Sequence, residues 1–190
     1  GSEMCIRDRI SDVHVWPNGT DTEPLSELPL KCFIEPLKLV VLSRLAPNKR
    51  VSDAVRALAL LNNSGCSAEL TVVGSGWERD LLERLAESLG QLGIVKFKDH
   101  LDDNDKNTEL QNAHLLLHTS VREGWGLNVI EANAIGTPAV VYPVGGLVDS
   151  TLHGVTGLVC KEETPGSLAA EIINLAADPV KYQMLRKNAW

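Results

Sequence analysis

The sequence predicts an α/β protein built as a Rossmann-like, doubly wound parallel sheet of about six strands. Three observations carry that expectation. Short apolar runs recur along the chain, as Leu39–Leu45, Ala68–Val73 and Leu115–Thr119, and the first, with its continuous branched residues, reads as a strand covered on both faces. Segments with helical apolar spacing lie between them, and βαβ alternation of this kind implies right-handed crossovers between parallel strands. Polar or glycine-rich turns follow the runs, as at Ser43-Arg44 and Gly74-Ser75-Gly76; in such sheets ligands bind beyond the carboxyl ends of the strands.

The elements follow in order. Residues 10–36 contain Asn18-Gly19 and four prolines (Pro17, Pro24, Pro29, Pro36), and read as linker and turns. Leu39–Leu45 is the first strand; Val51, Val55, Leu58 and Leu61 recur at helical spacing after it. Ala68–Val73 is the second strand. Leu81, Leu82, Leu85 and Leu89 mark a helix that Gly90 stops. Ile94–Phe97 is a short third strand, and Asp102–Asp105 an acidic turn before a short helix at about Glu109–Ala113. Leu115–Thr119, Ala139–Tyr142 and Gly157–Cys160 supply the remaining strands. Thr164-Pro165 has the form of an N-cap and first helical residue, with Leu168, Ile172 and Leu175 facing inward. A last helix covers about Val180–Trp190.

Composition narrows the function. The 190 residues are enough for one domain with a substantial core, and 44% apolar with 23% charged residues is ordinary for a globular chain. A formal charge of −7 argues against nucleic acid as a partner. No apolar run approaches the roughly 20 residues that span a bilayer, so a cytoplasmic protein is expected, with peripheral membrane contact open to a longer parent. Cys5, Cys32, Cys66 and Cys160 form no CxxC pair and read as reduced thiols. Residues 1–9 look non-native: Gly1-Ser2 has the form of a tag-cleavage scar, and Glu3–Arg9 looks like translated sequencing adapter, as a metagenomic assembly would leave.

The most informative stretch is Glu123-Gly-Trp-Gly-Leu-Asn-Val-Ile-Glu131, which follows an apolar run and opens a helical pattern. Gly126 and Leu127 fall at the expected helix N-terminus, where free N–H groups and the helix dipole favour an anion such as a diphosphate. With Glu123 in the loop and Glu131 in the second helical turn, both carboxylates can face one ligand. Carboxylates accept hydrogen bonds from paired hydroxyls, such as those of a sugar or a ribose. The pattern suggests a nucleotide-sugar site.

This segment, continued by Ala132-Asn-Ala-Ile-Gly-Thr-Pro-Ala-Val-Val141, resembles the donor-binding core of the family 4 glycosyltransferases, which have the GT-B fold. Val15–Asp21 resembles the turn entering the donor domain. Val41–Leu45 with Lys49 resembles the first strand and its basic pair, and Leu70–Gly76 the second strand and its glycine turn. These segments cover roughly residues 13 to 190, in the family's order. The resemblance implies that residues 37–190 are the C-terminal half of a GT-B glycosyltransferase, the nucleotide-sugar donor domain. An N-terminal domain holding the acceptor would be missing, and residues 10–36 would be the linker from it.

The resemblance further implies a retaining transfer from a UDP- or GDP-linked sugar to an acceptor hydroxyl, with the fragment inactive on its own. Arg44 and Lys49 would neutralise the diphosphate, Glu123 would meet the sugar hydroxyls or stabilise local charge, and Glu131 would bind the ribose. Gly74, Gly124, Trp125, Gly126, Leu127 and Asn128 would line the donor through backbone groups. The family often has Phe at the position of Trp125, whose larger ring would fill core or narrow the pocket, core filling being favoured.

No cofactor or metal is expected. Asp102-Asp-Asn-Asp105 is like a DxD metal motif, but capping and turn formation account for it. Gly74-Ser-Gly-Trp-Glu-Arg79 is an incomplete GxGxxG, with Arg79 in place of the third glycine. His100 lies where the family commonly contacts the base, while His118 and His153 have no assignable partner. A sugar-nucleotide epimerase or phosphorylase half, or a non-catalytic nucleotide-binding module, are the competing readings.

Overall fold

The computed structural model describes Thr20 and residues 22–190; the adapter-like segment and most of the expected entry turn at Val15–Asp21 lie outside the described residues. Six strands form one parallel sheet: β1 (Leu37–Leu42), β2 (Ala68–Val73), β3 (Val95–Lys98), β4 (Leu115–His118), β5 (Ala139–Val141) and β6 (Gly157–Val159). Their order is β3-β2-β1-β4-β5-β6. The chain reverses its direction of winding between β1 and β4, and their carboxyl ends flank the crevice where ligands bind in open α/β sheets. Leu37 pairs with Ala68 and Leu42 with Val73 on one side of β1, while Leu39 pairs with Leu115 on the other. This central position explains why β1 reads as a nearly unbroken apolar run: both its edges and both its faces are covered.

The helices are α1 (Val51–Asn63), α2 (Arg79–Ser88), α3 (Asp103–Asn112), α4 (Leu127–Ala134), the single turn α5 (Leu147–Ser150), α6 (Pro165–Ala176) and α7 (Pro179–Ala189). α1 packs against α2 and α6, whereas α4 packs against α3, α5 and α7. Two helical layers thus sandwich the sheet. The inward stripe of α1 (Val51, Val55, Leu58, Leu61) and that of α6 (Leu168, Ile172, Leu175) are buried, as their spacing predicts. Thr164 caps α6 by accepting from Ser167 N, with Pro165 in the first helical position. Gly90 follows α2 with φ +69°, the left-handed geometry that ends a helix cheaply only with glycine.

The structure differs from the sequence expectation at several boundaries. β1 ends at Leu42 rather than Leu45, because the chain turns at Ser43-Arg44 to form the crevice floor. The acidic run is not a turn before a helix but the start of α3 itself: Asp102 accepts from Asp105 N and caps it. The loop after β5 contains α5, too short to leave a periodic signal. Residues 22–36 contain neither helix nor strand, as their prolines predict. This segment is nevertheless a docked strap. Phe33 joins the core and stacks on Tyr182, with ring centroids 4.1 Å apart. The Arg186 guanidinium donates to Pro29 O at 2.9 Å, Gln183 to Lys31 O at 2.7 Å, and the Trp190 indole to Leu25 O at 2.9 Å.

Candidate functional site

Two adjacent loops build the floor of the crevice. After β2 the chain turns at Gly74, φ +139°, whose N–H donates to Lys98 O at 2.9 Å. A Cβ at Gly74 would lie 1.9 Å from Ser43 O, and one at Gly76 2.2 Å from Leu45 O. Only glycine lets the loops after β1 and β2 run this close. Above them opens a cleft of about 180 Å³ lined by Ser43, Arg44, Gly74, Ser75, His100 and Lys106. Arg44 is exposed along this cleft. The incomplete GxGxxG is therefore a tight turn that brings backbone to the crevice, and Arg79 pairs instead with Glu83 and Asp99 at the surface.

A second pocket of charge sits beyond the ends of β1 and β4. The 3₁₀ turn Pro47–Lys49 is docked on the loop after β4: Val121 N donates to Asn48 O at 3.0 Å, and Thr119 Oγ1 donates to Lys49 O at 2.9 Å. Arg50, with φ 48°, links this turn to α1 and is held by Asp53 and Glu163. These ties place Lys49 Nζ 2.6 Å from Glu123 Oε2. His118, 5% exposed at the end of β4, brings Nε2 to 3.5 Å from the same oxygen. Burial raises the Glu123 carboxyl, but the Lys49 hydrogen bond and charge outweigh it and hold it below the usual range. Burial pushes the His118 imidazole down to about 4, with Glu123 pulling it up and Lys49 pressing it lower.

Glu131, in the second turn of α4, has a different lysine. Lys106 Nζ donates to Glu131 Oε1 at 3.2 Å and to Asp103 Oδ1 at 2.9 Å. Burial works to lower the Lys106 ammonium, yet the two carboxylates raise it. Thr20 Oγ1 also approaches Glu131 Oε1, at 3.4 Å. The two glutamates are thus each engaged by a cation contributed from another part of the chain. Arg44 and Lys49, read as a basic pair, are divided between the sites: Arg44 lines the cleft with Lys106, and Lys49 lies at Glu123.

The glycine-rich turn between the glutamates is braced by the loop carrying α5. Gly126 caps α4 in the left-handed region, φ 73°, and a Cβ there would meet Leu147 Cδ2 at 2.8 Å. A Cβ on Gly146 would meet Glu123 O at 2.4 Å. Gly124 and Leu127 are exposed at this end of the sheet. Asn128 acts through its side chain, whose Nδ2 donates to Leu42 O at 2.9 Å and ties α4 to the end of β1. Trp125 is half-buried and outside the hydrophobic core, so core filling does not explain the larger ring.

Sequence reasoning missed Lys106 and the partner of His118. Lys106 sits among aspartates and reads as a surface i,i+3 partner, and His118 reads as one more residue of an apolar strand. His153 uses Nδ1 to accept from Val159 N at 3.0 Å, a turn contact away from these groups. Among the described residues no three His, Cys, Asp or Glu side chains converge as a metal-ligand group. Cys32, Cys66 and Cys160 are free thiols.

A six-stranded parallel sheet with a charged crevice at its switch point defines a Rossmann-like α/β architecture of the GT-B type. The family model described as "Glycosyl transferases group 1" matches residues 33–190, and the chain belongs to that family. It is 30% identical over 174 residues to a glycogen synthase of Mycobacterium tuberculosis, covering 92% of this chain and 42% of that protein. It is 31% identical over 172 residues to the poly(glycerol-phosphate) alpha-glucosyltransferase of Bacillus subtilis, covering 90% of this chain and 25% of that one. The chain thus spans less than half the length of these relatives. Among solved structures, Anabaena Alr3699/HepE in complex with UDP-glucose superposes with a TM-score of 0.73 at 26% identity, covering 82% of this chain and 43% of that one. TarM, at 22% identity, shares the fold with a TM-score of 0.76, covering 90% of this chain and 34% of that one. No helix among the described residues is long and apolar enough to cross a membrane.

Proposed function

We propose that this chain is the donor-binding part of a retaining glycosyltransferase of family 4, which takes a sugar from a UDP- or GDP-linked donor to an acceptor hydroxyl. One observation carries the reading. At the switch point, a glycine turn that admits a ligand against the backbone, the cation Arg44 and the carboxylate Glu131 with its Lys106 partner stand around one crevice. A diphosphate asks for the first two, and a ribose diol for a carboxylate. Glu123, beside the crevice, has the chemistry to accept from sugar hydroxyls, and Arg44 and Lys49 to stabilise the departing diphosphate. The bound UDP-glucose of the HepE complex supports a nucleotide-sugar as the ligand class.

In this proposal the acceptor oxygen attacks the anomeric carbon on the face the diphosphate leaves, and the acceptor's proton passes to the departing phosphate. This reading calls for no resident cofactor or metal. The curated relatives named above are more than twice the length of this chain, and this reading assigns acceptor binding to the part of them that this chain does not match. The chain alone therefore binds a nucleotide and transfers nothing, because transfer needs both substrates held together. Calorimetry of the folded chain with UDP, GDP and ADP tests this. Saturable binding of one nucleotide, lost in Arg44→Ala and Glu131→Ala, is expected; transfer to simple acceptors by this chain alone, or equal binding by both variants, overturns it.

A further inference from the structure

His118 has no part in that scheme, yet its position gives it one. Glu123 Oε2 is shared between Lys49 Nζ at 2.6 Å and His118 Nε2 at 3.5 Å. All three side chains are largely shielded, His118 most of all at 5% exposure. Lys49 and Glu123 balance each other's charge, and the imidazole beside them is neutral. The Asn128 side chain, fixed on Leu42 O, lies beside the imidazole and favours its protonated form. Among the described residues, Glu123 and Lys49 are the charges that act on it. Tyr142, next to it across the β4–β5 pair, gives its hydroxyl to Asp53 of α1 at 3.0 Å, and Arg50 is committed to Asp53 and Glu163.

Resting on the donor reading, we propose that His118 is a positioning residue for Glu123 that takes up a proton when a donor diphosphate engages Lys49. The charge balance favours it. A diphosphate brings two negative charges; Arg44 in the cleft meets one, and Lys49, which already neutralises Glu123, is drawn to the other. Lys49 then serves two anions, and Glu123 is left under-compensated in a shielded position, where an unbalanced carboxylate is costly. His118 is the one remaining ionisable group on that oxygen among the described residues. A proton from solvent goes to the imidazole; Lys49 keeps its own, Glu123 stays ionised, and the imidazolium takes over the carboxylate that Lys49 now shares. His118 thereby keeps Glu123 ionised and aimed while the diphosphate is bound, and releases the proton when the nucleotide leaves.

Binding that takes up a proton strengthens as the pH falls, by up to about tenfold per pH unit for one proton. UDP-glucose and GDP-mannose are suitable probes, because their doubly esterified phosphates carry no group that titrates near neutrality. Calorimetry of the 190-residue chain with each, in two buffers of different ionisation enthalpy, counts the protons. Histidine ¹⁵N spectra of the same samples read the ring directly. The expected result is proton uptake on binding, an imidazolium signature at His118 only in the complex, and loss of the uptake in His118→Asn. Should that variant not fold, Glu123→Gln reads the same point, since a neutral amide leaves the imidazole nothing to balance. Binding without uptake, or uptake that survives in Glu123→Gln, overturns the proposal and leaves the donor reading standing. A folded chain that binds neither nucleotide-sugar overturns both.

Discussion

At Gly74 the whole crevice depends on a missing methyl group. Gly74→Ala would set a Cβ 1.9 Å from Ser43 O and hold alanine at φ +139°, so the two loops must separate. We expect a loss of about 3 kcal/mol in urea unfolding, from backbone strain plus overpacking, together with weaker nucleotide binding. Glu131→Gln is different in kind. It keeps the shape, removes a charged acceptor and leaves Lys106 with Asp103 alone; calorimetry should show nucleotide affinity down by about tenfold, with unfolding little changed. A variant that bound as tightly as the parent would remove Glu131 from the site. At this scale, Arg44, Gly74 and Glu123 stood out in the sequence because each follows a strand or sits in a glycine turn, and Glu131 because it lies eight residues after Glu123 in the helical pattern that follows. Lys106 was not, since its partner lies 25 positions away, and a lysine behind three aspartates looks locally satisfied. His118 was hidden by an apolar strand in which all four residues are buried.

Helix caps separate stability from function among the elements. Asp102 caps α3 and Thr164 caps α6 by the same hydrogen bond, three residues on. Asp102→Ala and Thr164→Ala should each cost about 1 kcal/mol in denaturant unfolding. Only the first should also weaken nucleotide binding, because α3 carries Lys106 to the crevice while α6 packs on α1. Equal binding losses from both would mean that α3 has no special tie to the site. Much of the order of elements was readable because β1 and β4 are short apolar runs and α1, α2 and α6 carry periodic apolar stripes, whereas α3 buries only Leu110. Boundaries slipped where tertiary contacts decide them. Asp102–Asp105 reads as a turn until its side chain is seen to accept from a helical N–H. α5 has four residues, about one helical turn, and is fixed by packing of Leu147 near Gly126 rather than by propensity.

For the molecule as a whole, the strap formed by residues 22–36 is held by a cluster of cations and aromatic rings at the end of the sheet opposite the crevice. Lys31 Nζ donates to Ala113 O at 2.6 Å and to Thr137 Oγ1 at 3.1 Å, and Arg186, 1% exposed, donates to Gly136 O and Pro29 O. His114 stands between them, with Nδ1 accepting from Lys38 N at 2.8 Å and its ring edge-on to Phe33. Nδ1 can accept only when unprotonated, so the fold selects the neutral ring. Burial, with the charge of Lys31, pushes this imidazole down to about 4. The sign follows from linkage: between about 6.5 and about 4 the unfolded chain binds a proton that the folded chain refuses. The His114 contribution to stability is therefore complete above about 6.5 and is lost as the pH falls toward about 4. Tryptophan fluorescence can follow the strap, because the Trp190 indole donates to Leu25 O. Acidification should shift this signal as the denaturant midpoint falls. His114→Gln, which carries no titrating group, should flatten the slope between those two values even if it lowers stability at neutral pH. An unchanged slope in that variant would mean that carboxylates elsewhere set the acid limit and that the strap is not held by the neutral ring.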